Sequence, residues 1–169
     1  AKIAGCHVVG IAGGQEKCDF LTNSLNFDAA IDYKNENVDD MLDKYCPNGV
    51  NVYFDNVGGS ITDSVINKLA NYARVAVCGV ISQYNLTAPE SGLRTHRSML
   101  TNQATTEGFL VFQFAQKYHI AIERIAKWIK DGKIIYKEDI VEGIENAPEA
   151  FIGLMNGKNF GKLLIKVSD

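Results

Sequence analysis

Cysteine is scarce and scattered in this sequence. Cys6, Cys18, Cys46 and Cys78 form no C-x-x-C pair, and none of the three histidines, His7, His96 and His119, stands at ligand spacing from any of them. A zinc module or a disulfide framework would need such spacing, so no metal is expected. The four thiols lie in apolar or helical surroundings and read as buried or unreactive. The histidines read as a strand, a loop and a helix residue. Basic charge is not in excess either: the formal net charge is −3, which gives no overall attraction for nucleic acid or an anionic membrane. Any anion site must be local. No apolar run approaches the roughly 20 residues that span a bilayer, and the N-terminus lacks a basic segment followed by a signal-like core. The chain reads as soluble and cytoplasmic.

What is present is enough for one globular domain, with 46% of the 169 residues hydrophobic and 22% charged. Short apolar runs alternate with periodic polar stretches. His7–Ala12 is a β-branched run ended by Gly13-Gly14, and Gln15 to Leu25 then reads as a helix. Ala29–Asp32 is a second strand, followed by a helix over Val38–Tyr45 and a turn at Cys46–Gly49. Val50–Asp55 is a third, and its helix is expected from Ser60, with Ser60 as cap and Asp63 three residues on. Tyr72–Gly79 is the strongest strand. Residues 82–104 show no sustained period and read as a long functional loop. A strand over Gly108–Phe112 is expected next, then a helix over Phe114–Asp131 with Ala115, Tyr118, Ile122, Ile125, Ala126 and Ile129 on one stripe, stopped by Gly132. An extended stretch at 133–141, a helix over Ala147–Asn156 and a strand over Lys162–Val167 close the chain.

Strands interleaved with helices imply a parallel sheet covered on both faces, an α/β, Rossmann-like, doubly wound fold. Ligands of such sheets bind beyond the carboxyl ends of the strands. An NAD site would place an acid after the first visible strand, where Ala12-Gly13-Gly14 stands instead. Lys17 follows in the first helical turn, where the macrodipole disfavours a cation by about a few tenths of a kcal/mol. It is either a solvated lysine or, with the carboxylate absent, a partner for the 2′-phosphate of NADP. Asp55-Asn56-Val57-Gly58-Gly59 lets backbone approach a ligand at a helix N-terminus. Cys78 and Gly79 put small residues at the crevice, and Tyr84 is either a site phenol or a loop aromatic covering the core.

These residues carry a resemblance. Gly14–Lys17, Phe27–Lys34, Tyr53–Gly59, Cys78–Asn85 and Gly157–Lys162 are similar, in order and over nearly the whole chain, to blocks of the leukotriene B4 dehydrogenase, prostaglandin reductase and alkenal double-bond reductase family of zinc-independent medium-chain dehydrogenases. The resemblance implies that Lys17 and Tyr33 hold the 2′-phosphate of NADPH and that Asn56 and Asn159 line the cofactor. It also implies that the backbone of Phe109, Leu110 and Val111 meets the nicotinamide carboxamide, and that Tyr84 sits beside the nicotinamide ribose and the substrate carbonyl. The family has an N-terminal substrate domain, a first Rossmann strand and a Gly-rich pyrophosphate turn ahead of the position of Ala1. Residues 1–169 are therefore expected to form a partial NADP-binding domain, truncated at that strand and turn. Segments 133–141 and 160–169 would lead back toward the absent domain.

The implied chemistry is NADPH-dependent reduction of the carbon–carbon double bond of an enone or enal, with Tyr84 donating to the developing enolate oxygen. A quinone reductase of the same superfamily is the neighbouring alternative. An inactive binding or assembly module is the alternative of another class, and a homodimer is expected through the edge strand near 108–112.

Overall fold

The computed structural model describes residues 1–168. Seven strands are named here in chain order: β1 (Val9–Ala12), β2 (Ala29–Asp32), β3 (Val50–Asp55), β4 (Leu69–Val77), β5 (Thr105–Gly108), β6 (Glu138–Glu142) and β7 (Lys162–Lys166). The helices are α1 (Gln15–Asp19), α2 (Val38–Tyr45), α3 (Gly59–Asn67), α4 (His96–Thr101), α5 (Tyr118–Lys130) and α6 (Ala147–Met155). Every strand pairing is parallel, and between the first strands the helices make the crossovers that parallel ladders require. The α/β class and Rossmann-like character follow from that alternation.

The ladders fall into three groups, β1-β2, β3-β4-β5 and β6-β7. β1 and β3 are not partners of one another, and among the described residues no strand pairs with the inner edge of either. In the doubly wound order a central strand runs between these two. Val52 and Phe54, two residues apart and so on one face of β3, are 70% and 62% exposed. β4 begins with an irregularity: the register slips between Val50↔Leu69 and Val52↔Arg74, where Tyr72 takes a left-handed backbone with φ of 63°.

The core is concentrated where helices cover sheet. Ile31 of β2, Leu42 of α2, Val65 and Ile66 of α3, and Leu69, Ala73 and Val75 of β4 form one buried cluster. The apolar spacing of α2 turns Leu42 inward, and Asn37 caps this helix by accepting the Asp40 N–H at 3.1 Å. Asp39 and Asp40 in its first turn suit the macrodipole.

Several expectations are corrected. Ser60 does not cap α3: it lies inside the helix, which starts at Gly59 with no side-chain cap. The 82–104 segment is not all loop, because His96–Thr101 is helical, so His96 is a helix residue. The strand expected over Gly108–Phe112 is β5, displaced to Thr105–Gly108, where its backbone matches Arg74–Val77. Val111–Lys117 winds as a 3-10 helix, so Phe112 and Ala115 leave the strand and the long helix respectively. β6 starts at Glu138, later than the extended stretch at 133–141. The apolar stripe of α5 is correct in spacing, but none of its residues is buried among the described residues.

The contrast between these two regions fixes a stability expectation. Ile31→Ala empties a fully buried position and should destabilise this chain by about 2–5 kcal/mol. Ile122→Ala on exposed α5 should stay within about 0.5 kcal/mol. Urea unfolding followed by circular dichroism measures both.

Candidate functional site

Two carboxylates shape the carboxyl ends of the strands. Asp32 closes β2 and is buried, with its Oδ1 accepting the Gly14 N–H at 2.8 Å and the Lys34 N–H at 3.1 Å. Its Oδ2 accepts the Asn35 carboxamide at 2.7 Å. Asp55 closes β3 in the same manner. Its Oδ1 accepts the Val57 and Gly58 N–H groups, both at 3.0 Å, and the Tyr53 hydroxyl at 3.1 Å, while its Oδ2 accepts the Thr62 hydroxyl at 2.7 Å. A buried carboxylate without such donors would be costly. With them it fastens a turn to a strand end and prepares the start of α3.

The turns themselves need glycine. Gly14 has φ of 99°, and Gly58 and Gly59 have φ of 74° and 64°, conformations that a Cβ disfavours. Gly13 is constrained by space instead: a Cβ there would lie 2.9 Å from the Tyr33 Cζ and Oη and from the Lys34 Cε. The Tyr33 ring therefore lies across the Gly13 backbone, and the Tyr33 N–H donates to the Ala12 carbonyl at 3.1 Å.

A cleft of about 570 Å³ opens beyond these strand ends. Tyr33, Val57–Ser60, Ser82, Asn156 and Gly157 are among its walls. A second recess of about 410 Å³ is lined by Cys78, Gly79, Phe109, Leu110 and Gln113. Gly79 marks its mouth, where a Cβ would come within 2.6 Å of the Asn56 Oδ1 and 3.3 Å of the Tyr84 Oη. Asn56 and Tyr84, 28 residues apart, converge on one backbone position. Ser82 donates to the Val57 carbonyl at 2.6 Å and ties their two turns together.

The residues singled out from sequence thus divide. Tyr33 borders the first cleft, and Lys17 reaches its rim by donating from Nζ to the Gly157 carbonyl at 2.8 Å. Cys78, Gly79, Phe109 and Leu110 line the second recess. Val111 starts the following 3-10 helix, with its carbonyl accepting the Tyr118 hydroxyl at 3.0 Å. Asn159 lies outside both linings and donates its carboxamide to the Gly161 carbonyl at 2.8 Å. Of the four thiols expected to be buried or unreactive, Cys18 is buried, while Cys6 and Cys78 are exposed. The Cys18 thiol is pushed up by burial first and then by the charges of Asp32, Glu36 and Asp19. Asp32, Asp55 and the Gly157 carbonyl escaped the sequence reading. The available signal was an acid as the last residue of a strand just before a turn, in both Ile31-Asp32-Tyr33 and Phe54-Asp55-Asn56.

Among the described residues no three His, Cys, Asp or Glu side chains gather as a metal site, and no helix is long and apolar enough to cross a membrane.

Asp32 gives the site a pH signature. The Gly14 N–H first, then the Asn35 carboxamide and, more weakly, Lys34, hold its carboxyl below the ordinary range against the opposing effect of desolvation. A folded-state pKa below the unfolded one stabilises the fold fully above about pH 4–5, and this contribution fades as pH falls through the unfolded value near 3.9 and below. Asp32→Asn removes the titration. The difference in urea midpoint between the parent chain and Asp32→Asn should therefore narrow on acidification from about pH 6 to pH 3.

Comparisons with known proteins agree with this architecture. The model of the zinc-binding dehydrogenase family matches residues 1–127. The 2-alkenal reductase (NADP(+)-dependent) of Nicotiana tabacum is 44% identical over 99% of this chain and 49% of that protein. The NADPH-dependent curcumin reductase of Escherichia coli is 40% identical over 99% of this chain and 50% of that protein. The crystal structure of CurA from Vibrio vulnificus in complex with NADPH superposes with a TM-score of 0.94 at 42% identity, covering 99% of this chain and 51% of that one. The chain thus spans about half the length of the curated relatives it matches. Since the family model covers most of its length and reaches from the Gly13-Gly14 turn past Gly79 and the recess at Phe109, the chain belongs to the zinc-binding dehydrogenase family.

Proposed function

We propose that this chain is the NADPH-binding part of a reductase that saturates the carbon–carbon double bond of enones or enals. One observation carries the reading: the Ala12-Gly13-Gly14 turn presents no outward acid, holds the Tyr33 phenol over its backbone, and has the Lys17 ammonium at the rim of the same cleft. That arrangement suits a phosphate on the ribose and disfavours a bare diol, which calls for a carboxylate. The NADP dependence of the tobacco and Escherichia coli relatives and the NADPH complex of CurA support it. The enone or enal substrate class rests on the named activities of the tobacco and Escherichia coli relatives.

The site fits the cofactor at both ends. At Gly13 a Cβ would collide with Tyr33 and Lys34, and at Gly79 with Asn56, so the absence of a side chain lets Tyr33 at one end and Asn56 and Tyr84 at the other lie directly against the backbone. Lys17 and Tyr33 would hold the 2′-phosphate, with Lys17 using one of its three N–H donors on Gly157 and keeping two for the phosphate. Asn56, Cys78, Gly79, Phe109 and Leu110 would hold the nicotinamide half. Asn159 and the Val111 backbone belong to the same proposal. When bound, NADPH supplies the hydride that the substrate β-carbon receives. Tyr84 would donate from Oη to the carbonyl oxygen as negative charge builds there, and the Asn56 carboxamide beside it would orient the phenol. No metal is part of this proposal. A cytoplasmic location fits the same reading.

A quinone reductase is the second reading, favoured only by fold: a Pseudomonas syringae quinone oxidoreductase superposes with a TM-score of 0.80 at 19% identity. A homodimer would use the open side of β5, whose four residues are all exposed. Following NADPH consumption by the intact protein with an alkenal and, separately, with a quinone tests the function. Turnover of the quinone alone would replace the enone assignment.

Two substitutions probe the ends of the site. Lys17→Ala should weaken NADPH binding by about 10- to 150-fold, the scale of about 1.5–3 kcal/mol for one charge-assisted contact, and leave NADH binding nearly unchanged. Equal losses for both cofactors would refute a phosphate contact. Tyr84→Phe should lower turnover by roughly 10² to 10³ while NADPH affinity holds, and turnover within twofold of the parent would reduce Tyr84 to a packing residue.

A further inference from the structure

The residue that follows most directly from the geometry is one whose side chain never faces the cleft. Asp32 sits at the last register pair of the first ladder, opposite Ala12. Both its oxygens are taken up inside the protein, by Gly14, Lys34 and Asn35, so it is not available to accept a ribose hydroxyl. Gly14 is the residue preceding α1, and its carbonyl accepts the Lys17 and Cys18 N–H groups, both at 3.2 Å. Wherever Gly14 is held, Lys17 is held with it. On the other side, Asp32 is bonded in the chain to Tyr33, whose N–H is fixed to Ala12 and whose ring lies over Gly13.

We infer that Asp32 is the positioning residue of the 2′-phosphate subsite, its inward carboxylate locking the Gly13–Gly14 turn so that Lys17 and Tyr33 are presented to one phosphate. The inference rests on the NADPH reading above. A carboxylate at a strand end in this fold is otherwise the group that selects the unphosphorylated ribose. Here the same residue type works through the backbone and favours the opposite cofactor, because its charge is spent on three internal donors and a pair of flanking side chains is aligned by it. The Asn35 carboxamide completes the device by orienting the Oδ2 side at 2.7 Å.

The test separates positioning from folding by reading a ratio. The intact protein is titrated calorimetrically with adenosine 2′,5′-bisphosphate (2′,5′-ADP) and with 5′-AMP, which differ only in the 2′-phosphate. The parent should prefer 2′,5′-ADP. In Asp32→Asn that preference should fall by about tenfold or more, the scale of losing one hydrogen bond to a charged group, while 5′-AMP affinity stays within about twofold. Asn35→Ala alters only an exposed residue, serves if Asp32→Asn fails to fold, and should lower the ratio in the same direction by about threefold. A folded variant with the parental ratio, or equal weakening of both ligands, overturns the positioning role. A parent without any preference would instead refute the NADPH reading itself, and the inference with it.

Discussion

Buried carboxylates that accept backbone N–H groups at the ends of β2 and β3 are the interaction on which the site depends. A turn that leaves a parallel strand exposes amides that neither the ladder nor the next helix can use. Asp32 and Asp55 collect them, with two and two backbone N–H groups respectively at 2.8–3.1 Å. Each carboxylate thereby finds hydrogen-bond donors in a place of low exposure, and each turn is tied to its strand end. Tyr53 shows the same field from the other side. Its phenol is pushed up to about 12, by burial first and also by the neighbouring Asp55, so it stays protonated and remains a donor to that carboxylate.

This local rigidity matters because the global packing is uneven. The buried cluster spans β2, α2, α3 and β4, the part of the chain where two helices shield the ladders. Beyond β5 the described chain makes contacts of its own, such as β6 with β7 and Phe20 with Phe160 at 5.3 Å between ring centroids, yet it buries no residue completely. The segments that frame the cleft from the C-terminal side, around Asn156 and Gly157, are therefore placed by individual links, the hydrogen bond from Lys17 to Gly157 and the nearby ring contact of Phe20 with Phe160, rather than by a fully buried core.

The alternation of strands and helices was legible because the period changes between 2 and 3.6 are sharp in the first 80 residues. Ala29–Asp32, Val38–Tyr45 and Val50–Asp55 stand at the boundaries that their patterns imply. Legibility fell where local signals compete. Gly108–Phe112 carries a β-like run of aromatics, but the hydrogen-bonding row offered by β4 is matched by the less apolar Thr105–Gly108, and the run itself is left to wind as a 3-10 helix. Ser60 has the chemistry of a cap, but the glycine pair lets α3 begin one residue earlier, at Gly59, which leaves Ser60 inside the helix. Contacts such as the pairing of β4 with β5 join residues through space and have no fixed spacing to read. The convergence of Asn56 and Tyr84 on Gly79 is another of them, although each residue was separately placed at the site by family resemblance.

The position of the acid relative to the turn is the last point of physics. A carboxylate at the end of the first visible strand would project into the cleft, because nothing beyond that residue but the turn could receive it. Moved to the end of the neighbouring strand, it lies beneath the turn and meets the N–H groups from the inner side, as Asp32 does with Gly14. The cleft then sees the consequences of the charge and not the charge itself: an ordered backbone, an exposed phenol and a lysine ammonium, none of which repels a phosphate dianion. Two adjacent strand ends can thus carry opposite ribose preferences with the same residue type, according to whether the carboxylate is spent on ligand or on backbone.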